Sequence, residues 1–569
     1  MKRTTIRLAK IISTALFLAT IIILSARSVS AADIPIDAKN FPDNNFREVV
    51  SVYDKDQNKI LSGGEIKQVT KIESYGYETY KKIKSYKGIE MFSNLKKINL
   101  ELFNASMDLS KNKNLEDIEL DGDAKAVTLA DLPRLKKLYF AVDIKSISLG
   151  KMPKLEDLEV FGYSIKKIDL SKCNYLRKIR ISSEKLENIN LGNQKYLKTF
   201  DLYEEDNDNL KKVTIGKCPK LKTIKLSFKG KKAKLNISKA PNLEKVRLCH
   251  IKSVSFKKLK KLKKLNIVGL YSKKLSLKNN KKLESLYLDN IDIRSLNLTH
   301  NRRLKKVTVY SNLRKINVKN LKKLIKLNVS YNYLSKLNIS SCKNLKSLNC
   351  GDNKLKKLNI KNNKKLTYLN CSKNKIKNIK FPRMKYLKTL NVQKNKLKTI
   401  SVSKLHKLVK LDVSYNKLKR INITKLRKLE KLGVSHNKLK SLNISKNKKF
   451  DVLDCSYNKL KHLKLGKAMI YKLNCRCNKL IRLNVTRNDY LKYIDCSHNK
   501  LKSVKLSKSV FYIKVVLSHN KLRHLNLSNT RRIKTLDVRK NKLKSINLRK
   551  MHDRFKCYVK GDKKLVVYV

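Results

Sequence analysis

The sequence predicts a solenoid: a curved, right-handed stack of about 22 short coils with a parallel β-sheet on its concave face. Three observations predict it. The stretch 408–421, LVKLDVSYNKLKRI, repeats along the chain in the frame L-x-x-L-x-V-x-x-N-x-L-x-x-I. The frame's asparagine falls at Asn332, Asn353, Asn374, Asn395, Asn416, Asn437, Asn458, Asn478, Asn499, Asn520 and Asn541, in steps of 21 residues with a single step of 20. Hydrophobic residues make up 41% of the chain despite a formal charge of +92, so a buried core is possible and charge alone does not force disorder.

The frame explains its own geometry. L-x-x-L-x-V alternates at period two, which describes a short strand with apolar side chains facing inward. One coil cannot bury its apolar side, but coils stacked at about 4.8 Å join their strands and share a core. This is the leucine-rich-repeat signature. The recurring asparagine is expected to turn inward, where its amide bonds the backbone of neighbouring coils, because a buried amide without partners is costly. The ladder is therefore read as structural.

Earlier in the chain the leucine frame persists without the asparagine. Apolar pairs run from Leu95/Ile98 and Leu115/Ile118 through Leu197/Phe200 to Leu304/Val307, with looser spacing. The predicted organisation is a leader at 1–31, a helical cap at 32–90, degenerate coils at 91–326, regular coils at 327–548 and a closing cap at 549–569. The leader reads as a secretory signal: Lys2, Arg3, Arg7 and Lys10 precede an apolar run from Ile11 to Ala26, and Val29-Ser30-Ala31 offers small residues for cleavage. An uncleaved anchor is the alternative, but the run is shorter than the ~20 residues a span needs. No membrane insertion is expected after cleavage. In the cap, Phe46, Val49, Val50 and Tyr53 have helical spacing behind Asp43, a residue type suited to an N-cap.

With the segments IPIDAKNFPDNNFREVVSVYDKDQNKILSGGEI and KGIEMFSNLKKINL ahead of the coils, the chain resembles the secreted leucine-rich-repeat proteins of Gram-positive bacteria, internalin-like in plan. The resemblance covers nearly the whole chain beyond the leader. It implies a curved surface scaffold that binds or adheres. Such proteins often carry a wall-sorting motif, a wall-binding module or a membrane anchor, and no such segment is found here.

The clearest candidate metal site lies in the cap. Asp54, Asp56, Asn58, Ile60, Ser62 and Glu65 occupy positions 1, 3, 5, 7, 9 and 12 of a calcium loop of the EF-hand type. Lys59 stands where such loops place the glycine that permits a sharp turn. The expected cofactor is a structural calcium ion; the alternative is a helix-loop-helix that only caps the stack.

Two residue columns suggest recognition. Tyr331, Tyr415, His436, Tyr457, His498 and His519 share the position before the ladder asparagine and are read as an outward ligand-binding stripe. A second outward position carries Asn328, Asn349, Asn370, Asn391, Asp412, Asp454, Asn474, Asp495 and Asp537. A merely solvated polar face is the competing reading. Of the 11 cysteines, Cys350, Cys371, Cys455, Cys475 and Cys496 take the inward sixth position, and Cys173, Cys218 and Cys342 form another column. They are read as small buried side chains. A bridge between stacked neighbours is conceivable in an exported protein, but parallel side chains are expected to strain it.

No G-x-S-x-G, H-E-x-x-H or phosphate loop appears, so no enzyme is expected. Residues 32–90 are charge-balanced, which leaves the positive charge on the coils, mostly as lysine in turns of the NKLKKL type. Two binding functions follow as expectations, each for a monomer. One is a secreted or surface-associated scaffold holding a protein or glycan on the concave face. The other is a polyanion binder that takes wall polymers, acidic glycans or extracellular nucleic acid on its lysine-rich surface, with tyrosines available to stack bases. Lysine that merely solubilises the repeat is the plain alternative.

Overall fold

The computed structural model describes residues 32–73, 83–145, 147, 149–203, 210–228, 234–447, 449–507, 512–528, 530, 533–547, 556–558 and 566–568. The proposed leader lies outside them, as does most of the proposed closing cap. The described chain is almost all short parallel strands, one at the same point of each coil, and divides into two units, Met1–Val254 and Ser255–Val569. The architecture is a leucine-rich-repeat solenoid.

In the first unit the fourth frame position forms one ladder. Ile98, Ile118, Leu138, Leu158, Ile179, Phe200, Ile224 and Val246 pair in register between parallel strands. Its longest strands, Lys97–Asp108 and Asp117–Thr128, carry the pairing well past the frame. A separate parallel sheet forms across the coils from Lys167–Asp169 to Ser253–Val254.

In the second unit the same ladder runs from Leu265 and Leu286 through Leu327, Leu348, Leu369, Leu390, Leu411, Leu432 and Leu453 to Val515 and Leu536. Most of these strands are three residues long. In Lys410–Asp412, Leu411 is buried and its two neighbours face outward, so the frame's alternation is the whole strand. Full burial of one such side chain is worth roughly 1.5–3 kcal/mol, so each coil owes its place to a few apolar residues repeated many times.

The ladder asparagines tie the coils together. Asn416 Nδ2 donates to the carbonyls of Val413 and Ser414 in its own coil and of Val392 in the coil before, at 3.0–3.2 Å. Its Oδ1 accepts from the amide of Leu397 at 3.0 Å. Asn353, Asn374, Asn437 and Asn499 make the same set of bonds. A second buried amide column, absent from the frame as read from sequence, includes Asn112, Asn280, Asn301 and Asn363. Each donates Nδ2 to two carbonyls of earlier turns. Cys342 and Cys173 occupy that same position in other coils, which hides the regularity.

The cap contains helix α1 (Asn44–Ser51), with Asp43 accepting from the amides of Asn45 and Phe46, and helix α2 (Gly63–Gln68), closed by a Ser62–Glu65 capping box. The strand Lys71–Glu73 pairs parallel with the strand beginning at Lys97. The sheet thus starts inside the segment assigned to the cap, because buried Ile72 already matches Ile98. In the segment assigned to the closing cap, Lys556–Tyr558 and Val566–Tyr568 add two further parallel strands. Among the described residues no helix is long and apolar enough to cross a membrane.

Candidate functional site

The side-chain stripe sits on a left-handed turn at the end of each strand. Tyr331, Tyr415, His436, Tyr457, His498 and His519 have φ between 51° and 58°. Non-glycine residues seldom adopt this region. Here the backbone pairing continues through the turn and holds it: the amide of Tyr415 donates to Ser435 and that of His436 to Ser456. Identical turns one coil apart bring their side chains over one another.

The result is a stack of rings. Tyr415 and His436 have centroids 3.9 Å apart, and His436 and Tyr457 4.2 Å, with planes within 20° of parallel. Lys394 Nζ lies 5.1 Å from the Tyr415 ring centroid. His498 and His519 form a second stack. Tyr331 stands apart, tilted against Tyr310 and 65% exposed. The structure therefore brings Tyr415, His436 and Tyr457 together as one group and leaves Tyr331 outside it. Both faces of His436 are covered by its two neighbours, so this ring presents only its edge, while Tyr415 and Tyr457 at the ends of the stack stay exposed. Burial lowers the His436 pKa, with Lys394 adding to the shift and Asp454 opposing it.

The parallel column of Asn and Asp performs a local task as well as facing outward. Its Oδ1 accepts from the amide two residues on, as in Asp412 to Ser414 at 2.9 Å and Asp454 to Ser456 at 3.1 Å. The Asp454 carboxylate takes the Ser456 hydroxyl too, at 2.7 Å. Gly433 interrupts this column between Asp412 and Asp454. A concavity of about 570 Å³ opens there, lined by Lys410, Asp412, Ser414, Gly433, Ser435 and Asp454 among others.

Cysteines behave in two ways. Burial pushes the Cys371 thiol up to about 12, that of Cys342 to about 11, and those of Cys350 and Cys455 upward, which disfavours the reactive thiolate. Cys475 and Cys496, in adjacent coils, form a disulfide. This corrects the expectation of strain: their Cα atoms are 4.9 Å apart, within the span a bridge tolerates.

In the cap, Asp54, Asp56 and Glu65 each place a carboxylate oxygen within 4.8 Å of the others. Asp54 accepts from the amides of Asn58 and Lys59, and Asn58 Oδ1 from the amide of Ile60. Glu65 accepts from the amides of Lys55 and Ser62 and from the Ser62 hydroxyl. These bonds hold the Glu65 pKa below the usual carboxylate range. Lys59 takes φ 64°, so the turn forms without the glycine. Ile60–Leu61 pairs antiparallel with Ile34–Pro35 and pins the loop to the start of the cap. Three of the six expected ligands are thus brought close together, and their oxygens suit a hard divalent cation.

Lysines form their own row. Lys375, Lys396, Lys417, Lys438 and Lys459 follow successive ladder asparagines and are exposed. None of the carboxylate pairs found among the described residues involves them.

No family model matches the chain, and no curated protein is significantly similar to it. Solved structures are similar in coil architecture. The functional domain of InlJ from Listeria monocytogenes, described as including a cysteine ladder, is 16% identical, with 90% of this chain and 82% of that one covered and a TM-score of 0.36. YopM from Yersinia enterocolitica is 18% identical over 80% of this chain and 87% of its own, with a TM-score of 0.48. An internalin of Listeria monocytogenes, InlF, is 18% identical over 71% and 98%, with a TM-score of 0.30.

Proposed function

We propose that the protein is a secreted or cell-surface binding scaffold, not an enzyme, and that it recognises a protein or glycan through the sheet face of its regular coils. The observation that carries this reading is the stacks of rings at Tyr415–His436–Tyr457 and His498–His519, which lie beside a column of amides and carboxylates running along the same coils. Such a surface offers periodic hydrogen-bonding edges over an extended length, as an elongated ligand needs. The test is a panel of glycans, wall polymers and surface proteins presented to the chain lacking residues 1–31, at low and high salt. A variant with Tyr331, Tyr415 and Tyr457 changed to Ala is run beside it. Binding that persists in high salt and falls in the variant supports the reading; retention in the variant removes it.

The lysine row favours a second reading, a polyanion binder. Exposed lysines one coil apart, with no acidic partner among the described residues, form a linear field suited to an extended anion. Binding by this row collapses as salt rises and ignores the tyrosine changes. We also propose that the cap loop takes calcium as a structural ion, held by Asp54, Asp56, Asn58, Ile60, Ser62 and Glu65, with the ion fastening α1 to α2.

A further inference from the structure

Gly433 does more than lapse from its column. In the other regular coils, except that of Val516, an Asn or Asp oxygen caps the amide two residues on. At Gly433 that oxygen is missing. Among the described residues, neither the amide nor the hydroxyl of Ser435 has a hydrogen-bond partner, and Ser435 is only 4% exposed. The Ser414 hydroxyl points at the same gap: a Cβ built on Gly433 falls 2.9 Å from it and 2.7 Å from Asp412 Oδ1. The Gly433 φ is not positive, so the backbone does not demand glycine, and the atoms nearest such a Cβ are the mobile ends of Asp412 and Ser414. Val516 carries a side chain at its position, whereas Gly433 has none.

The gap has a specific donor and acceptor order. The Ser435 amide and hydroxyl seek an acceptor, as the missing side chain would have supplied. Asp412 and Asp454, on either side, each have only one oxygen engaged by the backbone, and no Lys or Arg pairs with either carboxylate among the described residues. The complement is a group with a carbonyl oxygen beside an N–H: an amide. Val452 lines the same concavity and is partly exposed, which gives an acetyl methyl an apolar neighbour that a side-chain carboxamide would leave unused.

We propose that the gap at Gly433 is a binding site for the acetamido group of an N-acetylated sugar within a glycan. The acetyl carbonyl accepts from the Ser435 amide and hydroxyl, and the N–H donates to Asp412 or Asp454. The concavity of about 570 Å³ falls within the size of small-ligand sites, roughly 300–1,000 Å³. This rests on the reading of the sheet face as a recognition surface and names the chemical group recognised there.

The test titrates the chain lacking residues 1–31 with the tetramer of N-acetylglucosamine and with its de-N-acetylated counterpart. Calorimetry measures binding, and saturation-transfer NMR observes the acetyl methyl. The acetylated tetramer binds and the de-N-acetylated one does not. Gly433→Asn restores the column's own amide and weakens binding about tenfold or more, a loss of ~1.4 kcal/mol. Ser435→Ala weakens it about threefold while keeping the gap open, which guards against a folding defect in the first variant. Absence of binding, equal binding of both tetramers, or binding unmoved by both substitutions overturns the proposal. Capture of Asn- or Gln-bearing peptides in place of the sugar also overturns it and assigns the gap to a protein ligand. The broader reading is judged separately by the triple tyrosine variant: tyrosine-dependent binding with an inert gap removes only the site at Gly433.

Discussion

His498 and His519 lie face to face, with ring centroids 4.0 Å apart and planes 18° from parallel. Burial lowers the pKa of His519 below 6.5, and His498, Lys540 and Arg476 lower it further against the opposing Asp537. Its folded pKa is thus below its unfolded value, so its contribution to stability is complete above about pH 6.5 and is lost as pH falls through the folded pKa. His436 is shifted the same way. We expect the melting temperature to drop between pH 7.5 and pH 5.5, and the drop to shrink in a His436→Asn, His519→Asn double variant. An unchanged pH slope in that variant would show that other groups govern it.

The ladder predicts an asymmetric cost for a small change. Asn416→Ala removes three donated bonds and one accepted bond, leaving the amide of Leu397 and the carbonyl of Val392 without that partner. A loss of about 1–3 kcal/mol is expected from stranding buried backbone groups. Urea unfolding followed by circular dichroism measures it. The exposed Lys417, one residue on, is the control, and Lys417→Ala is expected to stay within about 0.5 kcal/mol of the parent.

Calcium at the cap is expected to raise the melting temperature. An ion at a hundred times its Kd adds about 2.7 kcal/mol when it binds only the folded chain. Glu65→Gln and Asp54→Asn should abolish the increment. Equal melting curves with calcium and with chelator would remove the metal from the account and leave the loop as a cap alone.

The Cys475–Cys496 bridge closes a loop with a sequence separation of 21. A bridge of that span is expected to contribute about 3 kcal/mol by restricting the unfolded chain. Non-reducing digestion should yield one peptide linking the two cysteines. Cys475→Ser, Cys496→Ser should then melt lower than the parent, and reductant should lower the parent toward it.

The coil was legible because its signal repeats. Leu411 alone says little; Leu348, Leu369, Leu390, Leu411 and Leu432 at one interval specify both strand and register. The outward stripe was legible for the same reason, but not the closure of the His436 ring between its neighbours. That closure needs the left-handed turn and the coil spacing together, and Tyr415 and His436 lie 21 residues apart in sequence. Gly433 was passed over because a glycine in a column of Asn and Asp reads as an omission. Its meaning appears only through Ser435, whose usual cap it removes. Sequence also could not single out Cys475 and Cys496 from Cys350 and Cys371, which share the same column and the same interval.

The left-handed turn separates what the chain displays from what keeps it folded. A residue branched at the β-carbon, such as Val or Ile, is strongly disfavoured at that point, yet Tyr, His, Lys, Asp and Cys all occupy it in neighbouring coils. Any unbranched side chain placed there is presented at a coil edge without disturbing the leucines beneath. The stripe is in effect an alphabet of one letter per coil, and changing a letter rewrites the contact surface while the scaffold stays as it was.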